Sequence, residues 1–447
     1  MFSIVWSDTT SGAMPLIVKC RSRNSIQLIQ HEISRISCST GELRTDSHAW
    51  EQRQLGESFN MLRNNTLSRA DLSNDRKGVL DIHYGDVLIR YRAVVDVSTL
   101  QGPSINITNN RFLGDRLTDG DIIMADTAED TSAGKCVEIE GIMHQNVVAG
   151  LHTIPLRPAT PSSHGYWGQY LNSASFRNQL FSKMQGTKVI SLSRTTVSNA
   201  TVRYPSLAEQ RRIGEFFTTL DNLIAAAERQ EALLRQKKQA YLQLMFPQES
   251  ETEPQLRFSG FNDAWKRIAL RSVLKINEER NTASEFGFEK TISVSTMRFK
   301  PEGNGAAHAS LETYRVLRVG DVAFEGNRHK EYPYGHVVIN DIGDGLMSSR
   351  FRSFRPTQLI CVPFWKYLLQ NRYIMTPLLL RSTMRGTLMN ELVVDDFLKQ
   401  RTPMPSLQEQ LEIGDFFETL DRLIENAEGR IAQLRKMKSS YLQKLFV

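Results

Sequence analysis

The chain has 447 residues, 40% of them hydrophobic and 23% charged, with 55 Lys and Arg against 49 Asp and Glu for a formal net charge of +6. That length is more than one hydrophobic core normally organises, so roughly two to four compact domains are expected, and the apolar content excludes bulk disorder. Four scattered cysteines (Cys20, Cys38, Cys136, Cys361) form no C-x-x-C pair, so neither a zinc site nor a disulfide framework is written here and no metal is expected.

No run approaches the roughly 18 apolar residues of a membrane span, and the start lacks the charged segment plus apolar run of a secretory signal. A reducing cytoplasm is therefore the expected compartment. Residues 1–49 precede the first internal landmark and are expected to be a poorly ordered N-terminal extension. From Trp50 to residue 204 the chain mixes strand-like and helix-like pieces. Ile82 to Tyr91 and Gly120 to Ala125 are expected as turn-then-strand elements, with Gly-Asp supplying the turn. Tyr166 to Met184 carries helical spacing. The same mixture returns over residues 251–404, with a turn and strand at Gly320 to Phe324 and helical spacing from Pro363 to Met384.

Residues 205–246 and 405–446 repeat each other, with 24 of 42 positions identical at a constant offset of 200. Gly120-Asp121 and Gly320-Asp321, and Gly186-Thr187 and Gly386-Thr387, keep that offset. Trp50-x4-Leu55 answers Trp265-x4-Leu270 at an offset of 215. Each repeat opens with Pro-Ser-Leu-x-Glu. Ser206 with Glu209, and Ser406 with Glu409, have the spacing of a capping box, in which hydroxyl and carboxylate reciprocally satisfy free N–H groups of the first turn. Apolar residues then recur with heptad spacing. In the first copy they are Ile213, Phe217, Leu220, Ile224, Ala227, Leu234 and Tyr241. In the second they are Ile413, Phe417, Leu420, Ile424, Ala427, Ile431, Leu434 and Tyr441.

A narrow apolar stripe on a long helix needs a partner. The other copy is the expected one, in an antiparallel coiled coil; the alternative is that each helix packs onto its own domain. Lys238 and Lys438 interrupt the seam, as does Glu231, where they set register or end the tight contact. The expected fold class is α+β. It has variable α/β units at 50–204 and 251–404, and long helical segments at 205–250 and 405–447.

Charge is uneven. Residues 50–204 hold 16 basic and 15 acidic side chains, and residues 251–404 hold 22 and 17. Arginine bonds bidentately to guanine, asparagine to adenine, and either anchors on phosphate. The DNA-contacting candidates are accordingly Arg90, Arg92, Asn109, Asn110 and Arg111 in the first unit. In the second they are Asn327, Arg328, Lys330, Arg350, Arg352 and Arg355. Each also has the plainer reading of a solvated surface charge.

The repeated P-S-L-x-E-Q-x2-I-G-x-F-F-x-T-L-D-x-L-I, followed by a long helix ending Tyr-Leu-Gln-x2-Phe, resembles the duplicated spacer of Type I restriction-modification specificity subunits. The openings Ala49-Trp50-Glu51-Gln52-Arg53-Gln54-Leu55 and Leu256-Arg257-Phe258-x-Gly260-Phe261-x2-Ala264-Trp265 resemble the starts of target-recognition domains in that family. The likeness loosens upstream of Trp50, at Leu43-Arg44. It implies a non-catalytic subunit that reads a bipartite sequence in double-stranded DNA. It further implies docking of modification (methyltransferase) subunits and a restriction (motor and nuclease) subunit. S-adenosylmethionine, used to methylate adenine, is then expected on the modification subunit and no cofactor on this chain. Phe216, Leu223, Phe416 and Leu423, on helix sides outside the seam, are candidates for docking partners, or else pack within the helix pair. No methyltransferase loop, phosphate-cradling loop, H-E-x-x-H or G-x-S-x-G is present, and His329 with Glu331 reads as a surface loop. The other function classes left open are a coiled-coil scaffold with two protein-binding domains and a stand-alone nuclease or methyltransferase with an unfamiliar site.

Overall fold

The computed structural model describes residues 2–3, 19–20, 50–73, 78–105, 114–248, 251–302 and 308–446. Of the N-terminal extension, Phe2–Ser3 pairs antiparallel with Lys19–Cys20; the rest of residues 1–49 lies outside the described residues. The fold mixes helix and sheet. Two compact units divide the chain, and each takes part of both long helices. Residues 50–228 and 429–446 belong to the first unit, residues 229–428 to the second.

The first unit is built on a five-stranded sheet in the order Phe59–Met61, Thr153–Pro158, Ile122–Ala125, Cys136–Glu140, Val94–Asp96. Its pairs are antiparallel except for Cys136–Glu140 with Val94–Asp96. The central strand, Ile122–Ala125, has no polar face because both sides are covered. Ile122 and Met124 join a core with Tyr166, Phe176 and Leu220, while Ile123 and Ala125 join another with Val87, Tyr91 and Val147. A short continuous apolar run is the expected signature of such a doubly buried strand. The second unit repeats the plan with four antiparallel strands, Leu274–Ile276, Arg352–Pro356, Val322–Glu325 and His336–Ile339.

The expected strand over Ile82 to Tyr91 is corrected. The strand is Val79–Ile82, and Tyr84–Ile89 is a helix. His83 caps it, its ring nitrogen accepting from Gly85 N–H at 3.2 Å, and Asp86 sits in the first turn. Val87 and Tyr91, four apart, point inward together. Gly85-Asp86 therefore opens a helix, whereas Gly120-Asp121 makes the turn expected of it, with Gly120 at φ +87°.

Each unit is closed by a two-stranded ladder. Glu51–Gln54 pairs with Thr201–Tyr204, and Lys266–Ala269 with Arg401–Met404. These ladders bring each tryptophan landmark beside the start of a long helix, Leu207–Leu244 or Leu407–Leu445. Ser206 and Ser406 do cap, accepting from Glu209 and Glu409 N–H at 3.4 and 3.3 Å. The glutamate carboxylates, however, receive the tryptophan indoles: Trp50 Nε1 donates to Glu209 at 3.3 Å and Trp265 Nε1 to Glu409 at 3.2 Å. The buried Glu409 also holds the Arg257 guanidinium, at 2.6 and 2.8 Å.

One turn further on, the helix lies on its own domain. A Cβ on Gly214 would come within 2.2 Å of the His164 carbonyl oxygen, and one on Gly414 within 2.8 Å of Pro363 Cβ. Glycine in mid-helix normally costs about 0.5–1 kcal/mol relative to alanine. Here the close approach reverses the sign, so Gly214→Ala is expected to lose about 1–3 kcal/mol through overpacking. Gly429, with nothing within 4 Å of a would-be Cβ, is expected to gain about 0.5–1 kcal/mol as alanine. Chemical denaturation of the two variants should give shifts of opposite sign.

Within each unit the long-helix segments touch both the domain and a segment of the other long helix. In the first unit, Ile213, Phe217, Leu220, Ile224 and Ala227 share a core with Leu55 and Tyr166 of the domain and with Ile431, Leu434 and Phe446 of the second helix. Phe216 meets Tyr441 (5.0 Å between ring centroids), Lys438 bonds Asp221 at 2.7 and 2.8 Å, and Arg435 bonds Glu228 at 2.9 Å. The segments therefore run in opposite directions. In the second unit, Tyr241 meets Phe416 (5.1 Å), and Lys238 and Arg235 pair with Asp421 and Glu428. Lys238 and Lys438 thus set register by pairing across the helices, while Glu231 pairs with Arg235. Each unit is completed by the far end of a helix. Phe446 packs against Trp50, Tyr166, Tyr170 and Phe217, and Phe246 against Trp265, Phe364 and Phe417.

Candidate nucleic-acid interface

In the second unit, antiparallel register gathers several loops at one end of the four-stranded sheet. Glu325 stands opposite His336, and Phe324 opposite Arg352. The Asn327–Lys330 loop, Tyr332 to Tyr334, Arg350 and Arg352 therefore share one edge. Against it leans the hairpin Thr383–Arg385 with Asn390–Leu392, whose Asn390 N–H donates to the Gly326 carbonyl at 2.8 Å and whose Asn390 Nδ2 donates to the Pro333 carbonyl at 2.8 Å. Arg328 donates to the Gly386 carbonyl and Asn327 to the Glu325 carboxylate. Both side chains thus tie the loop down. Lys330, Arg350 and Arg352 are exposed. Tyr332 stacks on His336, with 4.2 Å between ring centroids, and burial pushes the His336 imidazole down to about 4. That ring is neutral at physiological pH.

The matching end of the first unit's sheet, beyond Ala125, carries a comparable set. Tyr84 lies between His83 (4.7 Å) and His152 (5.3 Å). Burial, then Arg69, holds His83 below the usual histidine range. Lys135 Nζ donates to the Leu88 carbonyl at 2.6 Å, one residue before the exposed Ile89 and Arg90. Burial and then the neighbouring Arg177 lower the Lys135 ammonium. Basic and aromatic side chains on a fixed sheet end can meet phosphate and bases at once.

Other candidates are placed inside the fold. Arg355 forks onto the buried Asp321 at 2.9 and 2.8 Å and reaches Glu279 at 2.7 Å, and these carboxylates raise its already high pKa. Arg157 does the same to Asp121 in the first unit, at 2.8 and 2.7 Å. Each Asp121 or Asp321 also accepts from the N–H three residues before it, so the shared Gly-Asp is a braced turn. Arg92 donates to the Asp221 carbonyl at 2.6 Å and pairs with Glu228, bracing the long helix. Asn109, Asn110 and Arg111 lie outside the described residues.

Of the docking candidates, Phe216 is buried on Tyr441. Phe416 sits between Tyr241 and Phe258. Leu223 and Leu423 are half-buried. Residue-type reasoning missed the hairpin at 383–392 as a surface element; its signal was the Gly-Thr pair repeated at the offset of 200. Among the described residues no group of three or more His, Cys, Asp and Glu side chains could hold a metal ion, and no helix is long and apolar enough to cross a membrane.

Residues 262–436 match the family model described as Type I restriction modification DNA specificity domain. Two chains of Methanocaldococcus jannaschii are similar. The one assigned as the type I restriction enzyme MjaX specificity subunit is 21% identical over 91% of this chain and 94% of its own length. The type I restriction enzyme MjaVIII specificity subunit is 24% identical over 60% of this chain and 66% of its own. The crystal structure of a Type I restriction-modification S subunit from M. genitalium shares the fold, with a TM-score of 0.55 at 13% identity, over 90% of this chain and 98% of that one. Domain match, relatives and fold agree with the duplicated spacer: residues 262–436 carry a Type I restriction modification DNA specificity domain, and over most of its length the chain is similar to specificity subunits of Type I restriction-modification systems.

Proposed function

We propose that this chain reads a bipartite target in double-stranded DNA, one half with each unit. The two long helices pair antiparallel as a spacer that fixes the separation of the half-sites. In this reading the chain performs no chemistry. Modification subunits carrying S-adenosylmethionine dock on it and methylate adenine, and a restriction subunit joins them. The observation that carries the proposal is the combination of a shared frame with unlike edges. Both units use the same ladder, tryptophan–glutamate contact and helix-end phenylalanine. The sheet ends they frame bear different side chains: Tyr84, His152 and Lys135 in one, Tyr332, Lys330 and Arg352 in the other. A common frame with two different reading edges suits two different half-sites joined at a set distance. A scaffold joining two protein-binding domains gives no reason for a DNA specificity domain over residues 262–436.

The experiment is to map methylated adenines in a genome carrying the system, then to insert one heptad in the middle of both helices, after residues 228 and 428. The helix ends must stay, because Phe246 and Phe446 complete the cores. The expected result is an unchanged pair of half-sites at a new separation. Altered bases at the old separation would overturn the reading.

A further inference from the structure

The two units display different loops, yet repeat one exposed feature in the same place. In the first, the chain turns back at Gly186-Thr187, bridging Gln185 to Ser191 and pairing Ile190–Ser191 with Thr127–Ala128. In the second, Thr383–Arg385 pairs with Asn390–Leu392 around Gly386-Thr387. Both hairpins lean on the residue just past the central strand. Leu192 N–H donates to the Asp126 carbonyl at 2.8 Å, as Asn390 N–H does to Gly326. A Cβ on Gly186, at φ +108°, would lie 1.9 Å from the Val189 carbonyl oxygen, and one on Gly386 would lie 2.4 Å from that of Met389. Both turns therefore require glycine.

The hairpin strands reach the cores through Ile190, Leu192 and Leu392, but the tips of the turns do not. Val189 is 54% exposed, Met384 60% and Leu388 87%. Cations flank them. The first hairpin shows Lys183 and Lys188 with no acidic residue from 181 to 192, and the second shows Arg385 with Arg328 on its turn, against Glu391 alone.

A feature kept in both units, while the neighbouring loops differ, suits something common to both half-sites. Bases differ between half-sites; the phosphate backbone does not. We propose that the two Gly-Thr hairpins are sequence-independent grips on duplex DNA, with Lys183, Lys188 and Arg385 against phosphates and the apolar tips along the sugar edge. This rests on the DNA-reading function above and adds the residues that hold DNA without reading it.

The test uses the full chain as wild type, as the triple variant Lys183→Ala, Lys188→Ala, Arg385→Ala, and as the charge-conserving double variant Lys183→Arg, Lys188→Arg. Binding to two duplexes of unrelated sequence is followed between about 50 and 200 mM salt. Removing three charges is expected to weaken both duplexes by the same factor, on the order of tenfold or more, and to lower the slope of log K against log salt by about 0.9 for each phosphate no longer neutralised. The arginine variant is expected to keep the wild-type slope, and all three proteins to melt alike. Wild-type slope in the alanine variant overturns the proposal, as does a loss confined to one duplex. Unchanged DNA binding with weaker retention of the modification subunit also overturns it and makes the hairpins a protein dock. If the wild type shows no salt-sensitive binding to either duplex, the DNA-reading function falls with it, which distinguishes the two failures.

Discussion

Phe446→Ala is expected to unfold the first unit under conditions in which the wild type is folded. The side chain is 2% exposed and lies among four aromatic rings, those of Tyr170 (5.4 Å), Phe217 (5.7 Å), Tyr166 (5.8 Å) and Trp50 (6.3 Å). Truncating a buried phenylalanine costs about 3–5 kcal/mol, from lost transfer energy and the cavity left behind. A domain stable by about 5–15 kcal/mol loses much of its margin by that change. Phe246→Ala should do the same to the second unit, where Phe364 and Trp265 close on the ring at 5.7 and 6.0 Å. Hydrogen exchange on the full chain separates the two effects. Phe446→Ala should expose the amides of Ile122–Ala125 and Thr153–Pro158, and Phe246→Ala those of Val322–Glu325. Protection equal to wild type in both variants would rule out this account of how the units close.

Glu409→Ala is expected to cost nearly as much, about 3–5 kcal/mol, because it strands a partly buried guanidinium. Glu409 is 1% exposed and accepts from Arg257 Nε at 2.6 Å, Arg257 Nη2 at 2.8 Å and Trp265 Nε1 at 3.2 Å. Removing both partners should be gentler than the sum of the single losses, since the unpaired charge leaves with its partner. Denaturation of Glu409→Ala, Arg257→Ala and the double variant gives the coupling directly. The expected coupling is at least about 1 kcal/mol, and additive losses would show that Glu409 acts only through packing. Glu209→Ala removes the acceptor that Trp50 uses in the first unit.

The long helices and the strands after Gly120-Asp121 and Gly320-Asp321 were legible because each rests on a local rule: heptad spacing, a serine cap, a glycine turn before an apolar run. What the helices touch was only half legible. Ile213 and Phe217 fit a seam by spacing, yet the same side chains serve the domain core and the second helix at once. Spacing reports that a face is apolar and says nothing of how many neighbours share it. The tryptophan landmarks and the capping glutamates were both visible as repeats. That they meet required the ladders joining residues 51–54 to 201–204 and 266–269 to 401–404, pairings between distant parts of the chain that no local pattern encodes. The arginines divide for a similar reason. Arg355 and Arg352 look alike in the chain, but strand alternation sends one onto Asp321 and leaves the other exposed. His83 misled because a capping histidine turns what would read as a strand into Tyr84–Ile89.

The placement of Phe446 also bears on biogenesis. A ribosome delivers Trp50, Tyr166 and Phe217 long before it delivers the ring that fills the space among them, so the earlier half of the polypeptide must wait with an open greasy slot while the later half is made. The later half meets no such delay, because Phe246 precedes the domain it seals. Nascent chains of this protein should therefore depend on chaperone cover in their first half more than in their second.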